Sequence, residues 1–204
     1  MKVPGEMTTK KPGAANKKHR PGRLRIVAGK WRSRVLDIAD VPGLRPTSER
    51  IRETLFNWLA PTIQGARCLD LFAGTGALGF EALSRGATSV VFVDNSRRAT
   101  KVIEKSTKML EATGAIVHCD DAEDYLRSAA PASFDIVFLD PPFADDRLDN
   151  ICRLLDETGV LAAGAKIYLE QDRARPEASL PDRWRVLKNK AAGNVRYRLV
   201  EASA

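Results

Sequence analysis

Apolar and polar positions along the chain switch between a period near two and a period near 3.6, and each switch marks an element. Residues 24–27 (LRIV) and 34–38 (RVLDI) are short β-prone segments around Ala28 to Ser33, which predicts a hairpin with a basic, tryptophan-bearing tip. Pro42-Gly43 marks a turn, and Thr47 is the expected N-cap of a helix running to about Leu59, in which Ile51, Leu55, Trp58 and Leu59 recur at helical spacing. The apolar run Cys68, Leu69, Leu71, Phe72, broken only by Asp70, reads as a buried strand, and Phe80-Glu81-Ala82-Leu83 as the helix after it. Further strands are expected at 89–94, 115–119, 134–139 and 166–170. Helices are expected at 96–111, with Val102, Ile103, Met109 and Leu110 on the apolar side, and at 145–157. Residues 184–189 and 194–201 read as a closing antiparallel pair. Strands alternating with helices indicate an α/β fold around a mostly parallel sheet.

A chain of 204 residues can bury one such core with little left for a second domain. The expected organisation is a flexible basic arm at 1–22, a basic hairpin and helix at 23–60, and the α/β domain at 61–204. The arm is rich in Lys, Pro and Gly and has almost no large apolar side chain, so it cannot repay the entropy of ordering. No apolar run approaches a membrane span, and no signal core follows the basic amino terminus, so a cytoplasmic protein is expected. Cys68, Cys119 and Cys152 are widely spaced among apolar neighbours and read as reduced packing residues; no metal site is suggested.

Charge changes the picture once it is divided along the chain. Residues 1–60 hold 14 Lys/Arg against 5 Asp/Glu, 61–171 hold 11 against 17, and 172–204 hold 8 against 4. An acidic middle with basic flanks suits a cationic cofactor in the core and phosphates at the flanks. In the hairpin, Lys30, Arg32 and Arg34 are candidates for phosphate contacts, and Trp31 either stacks on a base or packs on the main domain. Arg45, Arg50 and Arg52, just before the first long strand, are candidates for the substrate mouth.

The candidate chemistry centres on ARCLDLFAGTGALG, residues 66–79. Strand, glycine turn and helix start offer backbone N–H groups and a close approach to a ligand. Gly74-x-Gly76-x-x-Gly79 matches the dinucleotide spacing, with Asp94 at the distance of a ribose partner, so spacing alone is ambiguous. Asp70, a carboxylate at the strand's end, would repel a pyrophosphate and welcome an ammonium and a sulfonium, which favours S-adenosylmethionine. The third strand ends in Asp120-Asp121-Ala122, where a carboxylate could take the adenine amine and a backbone N–H a ring nitrogen. The fourth ends in Asp140-Pro141-Pro142-Phe143. Two prolines fix that turn and supply no N–H, so it presents carbonyls and a carboxylate: acceptors for an exocyclic base amine, with Phe143 as a ring for the base to lie on.

These residues carry a resemblance. GLRPTSERIRETLFNWLAP at 43–61, CLDLFAGTGALGFEALSRGA at 68–87, DPPF at 140–143 and an aromatic strand around Tyr197 resemble the RsmD family of bacterial enzymes that methylate the N2 amine of a guanine in 16S ribosomal RNA. The resemblance implies a class I, Rossmann-like methyltransferase with a seven-stranded sheet. It implies Asp70, Gly74 and Gly76 around the methionine end of S-adenosylmethionine, Asp94 on the ribose, Asp121 near adenine, Phe72 and Ala122 as further cofactor-binding residues, and Asp140 to Phe143 on the guanine. It also implies 16S rRNA as partner, within the small ribosomal subunit or its assembly intermediate. Three rivals remain at this stage, the first a non-catalytic RNA-binding protein with a relic fold, which the intact groups at all the cofactor positions oppose. An amino-methyltransferase acting on adenine N6 or cytosine N4 would use the same acceptor turn. An NAD-dependent oxidoreductase would use the same glycines but leaves Asp70 and Asp140 without a role.

Overall fold

The computed structural model describes residues 23–37, 47–142 and 146–203. The expected basic arm at 1–22, the turn at Pro42-Gly43, Arg45 and Phe143 lie outside the described residues. An antiparallel hairpin comes first, β1 (Arg23–Arg25) with β2 (Val35–Asp37), followed by helix α1 (Glu49–Leu59). Strand β3 (Arg67–Asp70), α2 (Ala77–Ser84), β4 (Ser89–Val93), α3 (Arg97–Leu110) and β5 (Ala115–His118) form the first half of the α/β unit. The second half comprises α4 (Ala122–Ser128), β6 (Phe134–Leu139), α5 (Leu148–Glu157), β7 (Leu161–Asp172), β8 (Trp184–Ala192) and β9 (Val195–Ala202).

The seven strands lie in the order β5-β4-β3-β6-β7-β9-β8, parallel from β5 to β7, with β9 antiparallel between β7 and β8. The chain leaves β3 toward one edge and returns through β6 toward the other. The point of reversal opens a crevice at the carboxyl ends of the strands, where ligands of open α/β sheets bind. Alternate strand residues serve opposite faces. Cys68, Ile136, Phe138 and Tyr168 face a core shared with the hairpin, α1, α2 and α3. Leu69, Val137, Leu139, Ile167 and Leu169 face α4 and α5. Among the described residues no helix is long and apolar enough to cross a membrane.

Several expectations are corrected in detail. Ser48 rather than Thr47 caps α1, its hydroxyl accepting from the Ile51 N–H at 3.3 Å, and Thr47 is thereby available for another bond. Helix α4 was not anticipated; Asp121 caps it, accepting from the Glu123 N–H at 2.8 Å. Met109 is half exposed at the end of α3, because α3 turns only a narrow stripe (Ala99, Ile103, Ser106, Leu110) to the sheet. Cys119 is exposed, unlike Cys68 and Cys152, because it lies just past β5 at the sheet's edge. Strand β7 extends over twelve residues, well beyond the apolar segment that marks it in sequence.

Candidate active site

The crevice is a cleft of about 570 Å³. Of the described residues that line it, six carry carboxylates (Asp70, Asp94, Asp120, Asp121, Asp140 and Glu170) and one, Arg147, a positive charge. Such a surface opposes a pyrophosphate and favours a cation, which removes the structural case for a dinucleotide. The glycine turn places these groups. Gly74 lines the cleft, and its N–H donates to Asp94 Oδ2 at 2.8 Å. Gly76 corrects the expectation of a direct ligand contact: it does not line the cleft but caps α2 with φ of 74°, and a Cβ there would meet the Phe80 ring at 2.7 Å. At Gly79 a Cβ would stand 2.2 Å from the Phe92 ring, so its role is the close approach of α2 to β4.

Asp70 is 2% exposed and its Oδ2 accepts from the Gly79 N–H at 3.0 Å. Burial pushes its carboxyl up to about 7; the Gly79 bond opposes this, and the charges of Asp140 and Asp94 add to it. A buried carboxylate in that state is satisfied by a cationic ligand. Asp94 also accepts from the Ser96 N–H at 2.8 Å, and with about four lone-pair sites it retains capacity for ribose hydroxyls. Asp121 is more committed than expected: besides capping α4 it accepts from Arg147 Nη1 at 2.9 Å. Burial pushes its carboxyl up, but the bonds from Arg147 and the Glu123 N–H outweigh this and hold it below the usual carboxylate range. The Arg147 guanidinium also lies 5.9 Å from the Phe72 ring, so the two frame the end of the cleft where Ala122 sits.

Opposite, Asp140, Pro141 and Pro142 follow β6 into the same cleft. Thr47 Oγ1 donates to Asp140 Oδ2 at 2.9 Å. Burial pushes the Asp140 carboxyl up to about 6, and the Thr47 bond restrains the rise. Glu170, 4% exposed, accepts from the Tyr168 hydroxyl at 2.7 Å.

Two residues assigned to RNA contact are buried instead. Arg52 is 1% exposed; its Nη1 reaches Glu81 Oε2 at 3.4 Å, its Nη2 donates to the Arg25 carbonyl at 2.9 Å, and its Nε to the Thr47 carbonyl at 3.3 Å. Glu81, fully buried, further accepts from the Val27 and Ala28 N–H groups and from Arg85. Arg52 is therefore a structural bolt joining hairpin, α1 and α2. Trp31 belongs to the core rather than to a stacking platform: its N–H donates to Ser84 Oγ at 2.9 Å, and its ring packs in the main cluster under the Lys30 ammonium, 5.4 Å away. The hairpin tip is thus held at the carboxyl end of α2, while Ala77 at the other end lines the cleft; a rise of 1.5 Å per residue separates them by roughly 10 Å. Lys30, Arg32, Arg34 and Arg50 are exposed.

The sequence reading did not single out Thr47 as a partner of Asp140, nor Arg147, Glu170 or Glu81 as polar groups of consequence. Glu81 alone carried a signal, as a lone carboxylate in a helix whose other residues are apolar or small.

Comparison with known proteins agrees with this geometry. The sequence profile of a family described as conserved hypothetical protein 95 matches residues 24–201. The ribosomal RNA small subunit methyltransferase D of Escherichia coli K12 is 43% identical over 183 residues, covering 90% of this chain and 92% of that one. The protein of the same name from Haemophilus influenzae is 42% identical, covering 88% and 94%. The solved structure of the yhhF protein of Escherichia coli superposes with a TM-score of 0.83 at 40% identity, covering 90% of this chain and 99% of that one.

Proposed function

Since the chain belongs to the conserved hypothetical protein 95 family, shared with the ribosomal RNA small subunit methyltransferases D, we propose that it transfers a methyl group from S-adenosylmethionine to the exocyclic N2 of a guanine in the 16S rRNA of the small ribosomal subunit. The observation that carries the reading is the pairing, in one acidic cleft, of a cofactor wall (Asp70, Phe72, Gly74, Asp94, Asp121, Ala122) with an amine-accepting turn (Asp140, Pro141, Pro142). On this reading the methionine ammonium lies toward Asp70, the ribose toward Asp94, and the adenine between Phe72, Arg147 and Ala122. When bound, the cofactor supplies a methyl group activated by a positive sulfur.

The amine lone pair of guanine is shared with the ring, which makes N2 a poor nucleophile. Asp140 and the Pro141 carbonyl accept its two hydrogens and draw the nitrogen toward a tetrahedral, nucleophilic form. With the cofactor bound, N2 would take the methyl group as the methyl–sulfur bond breaks with its electron pair staying on sulfur, and one N2 proton would pass to Asp140, a role that the raised pKa of this carboxyl suits. Thr47 holds the receiving carboxylate in place. Alignment at about 3 to 3.5 Å supplies much of the remaining rate. Because base edges in an A-form helix are poorly accessible, the target is an unpaired or flipped guanine.

The exposed cations Lys30, Arg32, Arg34 and Arg50 supply phosphate contacts on this reading. We assign the hairpin and α1, residues 23–60, to RNA docking, and residues 61–204 to cofactor binding and transfer. A substrate of this kind places the protein in the cytoplasm. Substitution of Asp140 by Ala tests the site: methyl transfer is lost while cofactor affinity is retained, and retained transfer would refute the assignment.

A further inference from the structure

Phe138 of β6 pairs with Tyr168 of β7 in parallel register, and Leu139 with Leu169. One position further, Asp140, the first residue past β6, continues this register to Glu170 of β7, at about the 4.8 Å spacing of neighbouring strands, and both line the cleft. The Tyr168 hydroxyl donates to Glu170 Oε2 at 2.7 Å and fixes the orientation of that carboxylate. A carboxylate has about four lone-pair sites, so a second hydrogen bond to Glu170 is compatible with the first.

The base classes differ in what they would bring. Next to its exocyclic amine, guanine carries a ring N1–H. Adenine and cytosine carry a ring-nitrogen lone pair in that place. We propose that Glu170 accepts the N1–H of the target guanine while Asp140 receives its N2 amine, so that Glu170 selects guanine against adenine and cytosine. This inference rests on the guanine-N2 reading above. A lone pair facing Glu170 is repelled, and the wrong base loses a bond at the same time; sites that leave a buried polar group unpaired reject their analogues strongly.

The test compares guanine with 2-aminopurine, which keeps the amine but has a lone pair at N1. The methylated guanine is first mapped with wild-type protein on small subunits; recovery of N2-methylguanosine there settles the underlying reading separately. Subunits reconstituted with either base at that position are then assayed for kcat/KM. Wild-type protein prefers guanine by about 100-fold or more. In E170Q, whose amide can donate to the 2-aminopurine N1, the preference shrinks at least tenfold, with rates on 2-aminopurine holding or rising. Y168F retains both carboxylates and removes only the orienting hydroxyl, and its preference falls partway. If both variants lose activity on the two bases in equal proportion, or keep the wild-type ratio, Glu170 has a structural role only and the proposal fails.

Discussion

Thr47 and Asp140, separated by 93 positions in the chain, are joined by a 2.9 Å hydrogen bond in which the threonine hydroxyl donates to the carboxylate. Thr47 is itself held from behind, because Arg52 Nε donates to its carbonyl. The segment before α1 thereby buttresses the turn after β6. A side chain expected to cap a helix instead positions the proposed proton acceptor.

Replacing Thr47 by Val removes the one interaction among the described residues that restrains the Asp140 pKa, so that pKa rises above about 6. Hydrogen bonds to charged groups contribute about 1.5–3 kcal/mol, which predicts a kcat loss of roughly 10- to 100-fold at neutral pH. Thr47→Ser retains most of the rate. Steady-state kinetics across pH distinguish the two variants: the T47V profile is displaced toward higher pH, and an undisplaced profile contradicts the coupling.

The pH dependence of wild-type turnover follows from the same group. Asp140 can accept from the Thr47 hydroxyl and the N2 amine together, and take up the N2 proton, only when ionised, so kcat rises as pH increases through about 6 and then levels. The sign for stability is the reverse. A carboxyl whose folded pKa is raised makes the folded state bind more protons, so its contribution is present below the unfolded value near 3.8 and is lost as pH rises through about 6. D140N accordingly gains stability relative to wild type between pH 4 and 7, as denaturant titrations at several pH values would show.

Asp70, raised to about 7 in the free protein, must ionise to meet the cofactor's ammonium. Cofactor binding therefore releases a proton below pH 7, and affinity weakens by up to about tenfold per pH unit below that point. Calorimetry in buffers of different ionisation enthalpy measures the released proton directly. Proton uptake on binding would contradict this account of Asp70.

The buried Arg52 and Glu81 predict a stability effect rather than an RNA effect. Truncating one partner of a buried pair strands the other, at a cost of about 3–5 kcal/mol. Arg52→Ala should lower the unfolding free energy by that order. By contrast, Arg32→Ala and Arg34→Ala, both exposed, should leave stability nearly unchanged and reduce the salt dependence of RNA binding by about one unit of slope each. Equal loss of stability in all three variants would overturn the division.

This division also shows what was legible in the sequence. Strand ends were legible at β3, β4 and β6, because each is a largely apolar run that stops at a carboxylate, Asp70, Asp94 or Asp140. Asp70, Asp94 and Asp140 all stand where those ends predicted, in one cleft. The direction of the charged side chains on α1 was not legible. Arg50 and Arg52 look alike in a run of alternating charges, and only the approach of the hairpin and of Glu81 decides that one is solvated and the other buried. Trp31 was open between two fates for the same reason, and contact with Ser84 settled it. Glu170 reads as the ordinary end of an apolar strand until the register with β6 sets it beside Asp140.

The central claim is the identity of the methylated atom. Small ribosomal subunits from a strain lacking this protein, incubated with the protein and labelled S-adenosylmethionine, can be digested and their nucleosides separated. The account predicts label in N2-methylguanosine of 16S rRNA and none with D140A. Label in methylated adenine or cytosine, or undiminished label with D140A, would contradict it.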